Sequence, residues 1–218
     1  MLEHFFIILG NNMDLRHQAL CQWVAEQLHQ DKVELSIVSG DASFRQYFRC
    51  TLDGKSWVVM DAPPEKEDST SFVRIAKSWF AQGIKVPEII ALDIEKGFML
   101  LSDFGEELLL PALNPQKVDI QQGQKYYTKA LQALVQIQAL DTHELSLPPY
   151  DSALLQQEMS LFKDWLVEAK LGLSLNEQES QTLNDCLLLL EDRALSQYYV
   201  TVHRDFHARN LMICDDDE

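Results

Sequence analysis

At 218 residues the chain can form one large domain or two small lobes, and its 46% hydrophobic and 24% charged content is ordinary for a globular protein. A formal net charge of −16 excludes DNA or RNA as the main partner, because neutralising phosphates needs clustered Lys and Arg, and it disfavours a polybasic membrane anchor. Four scattered cysteines without C-x-x-C spacing exclude a disulfide scaffold or zinc site, and no run approaches the ~20 apolar residues of a bilayer span, so a soluble cytoplasmic protein is expected.

The apolar run FFIIL at 5–9 is too short for a signal-peptide core and lacks a basic flank, and residues 1–12 are read as an upstream extension. Behind a possible Asp14 cap, Leu15, Ala19, Trp23 and Leu28 recur at helical spacing. A short strand over 34–38 follows, then the loop GDASFRQ (40–46) and a second strand over 47–52. Asp53-Gly54 is a two-residue hairpin turn, and 55–60 is the returning strand. Phe72, Ile75, Ala76, Trp79 and Phe80 mark an amphipathic helix capped by Ser69 or Thr70 and stopped at Gly83. Two apolar runs, 89–92 and 98–101, joined by DIEKG, make another hairpin. Beyond Asn114, read as a cap before an N1 proline, the pattern turns helical. One helix runs to about Leu140, and a second, capped by Asp151, carries Leu155, Met159, Phe162 and Trp165. A third follows a capping-box pattern of Ser174 with Glu177. Five strands with one helix, then helices, predict an α+β bilobal fold whose first lobe is a five-stranded antiparallel sheet.

The last coherent stretch, YVTVHRDFHARNLMIC (199–214), reads as strand, polar loop, strand. The loop presents Asp205 and, five residues later, Asn210, the H-R-D-x-x-x-x-N spacing of phosphotransferase catalytic loops. In that chemistry an Asp accepts or orients the proton of an attacking hydroxyl, and an Asn carbonyl is a hard ligand for Mg²⁺. His203 is read as structural, whereas His207 and Arg209 have no assigned target. The letters DFG at Asp103 precede the HRD loop by a hundred residues, the wrong order for a metal-binding aspartate. Asp103 is therefore read as part of a connector between lobes.

In this order the motifs become recognisable: GDASFRQYFR (40–49), VVMDAPPE (58–65), VPEIIALDIEKGFMLLSDFG (86–105), LPPYDSALLQQEMSLFKDW (147–165) and VHRDFHARNLM (202–212). The chain resembles the aminoglycoside phosphotransferase superfamily, small-molecule kinases with a protein-kinase-like fold, and within it the bacterial N-acetylmuramate/N-acetylglucosamine kinases of cell-wall recycling. The resemblance implies ATP and Mg²⁺ as cofactors and an amino-sugar hydroxyl as acceptor. It also implies Asp205 as catalytic base and Asn210 as metal ligand. Ala42, Ser43 and Phe44, with Arg45 nearby, would cover the phosphates, and Leu101, Ser102 and Asp103 would meet the adenine. The nucleotide-binding lobe would span 13–104, and a partial helical lobe 105–218.

The sequence departs from that pattern twice. The third strand, VVMD at 58–61, lacks the lysine that V-A-I-K would supply, leaving Arg45 or Lys55 as substitutes. The chain also ends at CDDDE, before the expected second metal-binding aspartate, so a truncated and inactive kinase is expected. An aminoglycoside or other small-alcohol kinase, and a non-catalytic nucleotide-binding regulator, stay open as alternatives.

Overall fold

The computed structural model describes residues 2–40, 44–116 and 118–214, with the side chains of 2–14, 39 and 40 outside the description. Ala42 and Ser43, assigned above to the phosphate loop, thus lie outside the described residues. The chain divides into two compact units, Met1–Ala133 with Asp205–Glu218, and Leu134–Arg204.

The first unit is built on five antiparallel strands in the order β1-β2-β3-β5-β4. These are β1 (Leu35–Gly40), β2 (Gln46–Leu52), β3 (Lys55–Asp61), β4 (Ile89–Asp93) and β5 (Phe98–Ser102). Asp53 and Gly54 take φ of +50° and +78°, the left-handed pair of a tight hairpin turn that matches strand twist. Helix α1 (Leu2–Gln27) covers one face and α2 (Thr70–Ala81) is packed against the other. Period-two alternation decides which residues go where. Phe48, Cys50, Val59, Phe98 and Leu100 point to α1 and meet its Leu20, Trp23 and Val24. Met60, Met99 and Leu101 point the other way and gather Phe72 and Val73 of α2. The rings of Trp23 and Phe98 sit 5.8 Å apart, tilted as aromatic pairs prefer. Gly97 closes the β4–β5 hairpin at φ +73°, and a Cβ there would lie 1.9 Å from the Ala62 carbonyl oxygen, so only glycine fits.

Two caps differ from expectation. Helix α1 runs through position 14 and does not begin there. At α2, Ser69 makes no side-chain cap; Asp68 instead accepts the Thr70 N–H at 2.8 Å. After β5 come a short helix α3 (Leu109–Ala112), which the sequence did not signal, and α4 (Ile120–Gln138). The entry to α4 is held by Asp119, which accepts the Gln122 N–H at 2.7 Å. Asn114 instead accepts the Gln116 N–H in the turn before it.

The second unit contains α5 (Ser152–Leu161), running on as a π-helical segment (Phe162–Lys170), and α6 (Glu177–Leu195). Asp151 caps α5 as expected, accepting the Leu154 N–H at 3.1 Å. Buried Glu191 of α6 accepts hydrogen bonds from Ser152 and Gln156 of α5, tying the two helices together. The capping box of α6 sits two residues past the expected one. Asn176 and Glu179 exchange both bonds at 2.9 Å, because Asn176 holds the extended backbone a cap requires. Asn176→Ala is accordingly expected to cost about 1 kcal/mol in urea unfolding, with Ser174→Ala neutral; equal losses would return the cap to Ser174.

Candidate active site

Residues 199–202 form no strand, contrary to the expected strand–loop–strand. Tyr199, Val200 and Val202 are exposed, and the run pairs with no neighbouring strand. Beyond the loop, the second expected strand is reduced to one bridge, Leu108 with Met212. Three backbone bonds flank that bridge. Leu109 N–H donates to Leu211 O, Leu110 N–H to Ala208 O, and Ile213 N–H to Glu107 O, at 2.8–2.9 Å. The loop is thus held by the segment just after β5.

Within the loop, Asp205 is the hub. Asn210 Nδ2 donates to Asp205 Oδ2 at 2.6 Å and to its backbone oxygen at 3.0 Å. His207 Nε2 lies 2.9 Å from Asp205 Oδ1. The His207 Nδ1 accepts the Arg209 N–H at 3.2 Å, so Nε2 carries the proton and donates it to the carboxylate. Both carboxylate oxygens are therefore oriented by neighbours, while the side chain remains 69% exposed and open to a substrate. Sequence reading left His207 without a target. Its alternate-position spacing from Asp205 and Arg209 was the available signal.

The Asn210 amide nitrogen faces Asp205, which turns its carbonyl oxygen away as an acceptor for a cation. Among the described residues no group of three or more His, Cys, Asp or Glu could hold a metal ion. One amide oxygen beside one carboxylate suits a magnesium ion that arrives on nucleotide phosphates and keeps its waters, not a stand-alone metal cage.

Phe44 and Arg45 gather around Glu67. Its carboxylate accepts the Phe44 N–H at 3.1 Å and meets the Arg45 guanidinium at 3.5 Å, which also lies 5.5 Å from the Phe72 ring. Asp61 stands where the third-strand lysine was sought, and its buried carboxylate accepts Arg16 Nε of α1 at 2.9 Å. Lys55 pairs with Leu52, whereas Gln46 beside the loop pairs with Asp61. That separation is six residues of strand, about 20 Å. Lys55 is thus remote from the 40–46 end of the sheet, and of the two expected substitutes Arg45 is the one beside it.

At the end of β5, Leu101 is buried in the sheet. Ser102 donates its N–H to Glu88 O at 3.0 Å and accepts the Glu88 N–H on Oγ at 2.9 Å. The Asp103 side chain, 2% exposed, forms a bidentate pair with Arg49 of β2, Nε to Oδ2 at 2.6 Å and a terminal nitrogen to Oδ1 at 3.1 Å. Burial pushes the Asp103 carboxyl up, but hydrogen bonds from Arg49, Ser56 and the Gly105 N–H outweigh it and leave the group below the usual range. The Asp103 hydrogen bond in turn raises the Arg49 guanidinium further. The Asp103 side chain thus anchors the segment after β5 to β2.

In the second unit, Arg204 takes φ +69°, a left-handed conformation that disfavours any Cβ, and pairs with Glu158, which also accepts the Tyr150 hydroxyl at 2.7 Å. Those two bonds, Tyr150 first, hold the Glu158 carboxyl below its ordinary value. Arg204→Gly is expected to melt within about 2 °C of wild type, since glycine accepts this φ freely. Arg204→Val, β-branched, should melt several degrees lower; the reverse order would remove backbone strain as the constraint here.

A five-stranded antiparallel sheet followed by helices, with an HRD loop bringing Asp205 and Asn210 together, makes a kinase-like fold. The profile of the phosphotransferase enzyme family (APH) matches residues 34–218, and the chain belongs to that family. It is 39% identical over 209 residues to the N-acetylmuramate/N-acetylglucosamine kinase of Pseudomonas putida, covering 91% of this chain and 60% of that protein. Against the Pseudomonas aeruginosa protein of the same name it is 42% identical over 182 residues, covering 84% and 52%. Against that of Neisseria meningitidis serogroup B it is 32% identical over 199 residues, covering 91% and 58%. The chain thus spans about half to three-fifths of the curated relatives it matches. A thermostable mutant of aminoglycoside phosphotransferase APH(4)-Ia, in its apo form, superposes with a TM-score of 0.56 at 13% identity, covering 89% of this chain and 67% of that one. That likeness supports the fold. Among the described residues no helix is long and apolar enough to cross a membrane.

Proposed function

We propose that this chain carries the nucleotide-binding and catalytic-loop portion of an ATP-dependent kinase that phosphorylates a small amino sugar, at the anomeric hydroxyl of N-acetylmuramate or N-acetylglucosamine. The observation that carries the reading is the Asp205–Asn210 pair, with an exposed carboxylate oriented on both oxygens. Asp205 accepts or aligns the proton of the sugar hydroxyl as its oxygen attacks the γ-phosphate. The pinned carboxylate means little reorientation is needed at the moment of transfer. Asn210, through its carbonyl oxygen, would hold Mg²⁺, which when bound neutralises charge developing on the phosphates. Arg45 and the loop before it would cover the phosphates, and the backbone from Asp103 onward would face the base. Relatives at 32–42% identity that bear the amino-sugar kinase name support the choice of acceptor.

An aminoglycoside acceptor would need carboxylates available to a polycation. The acidic residues of 151–158 are engaged instead: Asp151 caps α5, and Glu158 is shared by Tyr150 and Arg204. That favours a neutral or acidic amino sugar.

The test is an ATP-consumption assay on this chain and on any longer product of its reading frame, with N-acetylmuramate, N-acetylglucosamine and kanamycin offered in parallel. Turnover on an N-acetyl amino sugar is expected. Turnover on kanamycin alone would reassign the acceptor, and bound ATP without any turnover would favour a non-catalytic nucleotide-binding role.

A further inference from the structure

Arg49 has no role in the sequence-level reading of the site, yet through it the sheet grips the segment that leaves β5. Its guanidinium spends nearly all its donors on that one segment. Beyond the bidentate pair with Asp103, a terminal nitrogen donates to the Gly105 carbonyl at 2.7 Å, and the other terminal nitrogen meets Glu106. The Asp103 carboxylate also accepts the Gly105 N–H at 2.9 Å, closing a turn in which Gly105 sits at φ +89°. With Arg49 and Asp103 side chains only 15% and 2% exposed, the fork admits one arrangement of the segment and few others.

Two parts of the site depend on where that segment lies. Residues 103–106 follow directly on β5, where a nucleotide base would be met. The next four residues supply the backbone partners of Ala208, Leu211 and Ile213, which flank Asn210 on both sides. A displacement at Asp103 is therefore carried to the base-facing backbone and to the catalytic loop together.

We infer that Arg49 is a positioning residue, whose planar guanidinium sets the segment after β5 in the conformation that receives the nucleotide. The inference rests on the nucleotide-binding reading above. Lysine cannot replace it: an ammonium is a point charge with three donors and does not hold four acceptor oxygens around one plane.

The experiment titrates ATP into the 218-residue chain as wild type, Arg49→Lys, Asp103→Asn and Val24→Ala, with a thermal melt of each. Val24 is fully buried where α1 meets the sheet, away from the segment, so Val24→Ala lowers stability by a cavity alone. Arg49→Lys is expected to fold and to bind ATP about tenfold more weakly. Asp103→Asn, nearly isosteric, should do the same and serves if Arg49→Lys does not fold. Val24→Ala should melt lower yet bind within about twofold of wild type. Binding by both Arg49→Lys and Asp103→Asn within about twofold of wild type overturns the inference. So does an equal loss in Val24→Ala, because affinity would then follow stability and not position. Wild type that binds no ATP overturns the nucleotide reading itself, a separate result.

Discussion

Asp205→Ala is expected to lower phosphoryl transfer about a hundred- to ten-thousandfold, the range general-base groups contribute, while ATP affinity stays within about twofold. The expectation follows from where the side chain sits. Its carboxylate is exposed and is held by the loop's own His207 and Asn210, so removing it takes away the proposed proton acceptor from an exposed position. Asp205→Asn separates the two jobs of the residue. It retains an oxygen for one neighbour but is not basic, so it should be nearly as slow as alanine. The loss should fall on kcat, because the hydroxyl proton moves only in the transition state. Turnover within tenfold of wild type in either variant, in a chain shown to transfer phosphate, would remove Asp205 as the base.

His207 bears on the same result. It donates to Asp205 through Nε2, because its Nδ1 accepts the Arg209 N–H. Only the alternate spacing of Asp205, His207 and Arg209 hints at this. A histidine in a polar loop looks solvated until the turn brings positions 205, 207 and 209 to one side. Arg49 was hidden for a different reason. On an alternating strand a lone arginine reads as a solvent-facing residue, and its partner stands 54 positions later. The strands themselves were legible, since alternation in β2, β3 and β5 sends Phe48, Val59 and Leu100 to one layer and Met60, Met99 and Leu101 to the other. The same alphabet misled at 199–202, where a β-rich apolar run forms no strand. Strand propensity describes fitness for a sheet position, and pairing supplies the position. The two candidate capping boxes, two residues apart, show the matching limit for helices. Both sets of letters fit, and the backbone at Asn176 decides.

The largest stability effect is expected at the Arg49–Asp103 pair. Arg49→Met should cost about 3–5 kcal/mol at neutral pH, because it strands a carboxylate that is almost wholly buried. The pH dependence identifies the cause. In the wild type, Asp103 titrates below its ordinary value of 3.8, so its contribution is complete above that value and is lost as pH falls through the lowered folded value. In the variant the principal opposing interaction is gone and burial prevails, which raises the folded carboxyl and favours its protonated form. The variant therefore regains stability on acidification over a range where the wild type gains none. The gap between them should be widest at neutral pH and narrow steadily toward about pH 4. Urea unfolding followed by tryptophan fluorescence at a series of pH values reads this directly, Trp57 being the β3 residue that pairs with Ser102 beside the clamp. A gap independent of pH would mean that Arg49 contributes packing alone, and the charge pairing would not be what holds the segment after β5.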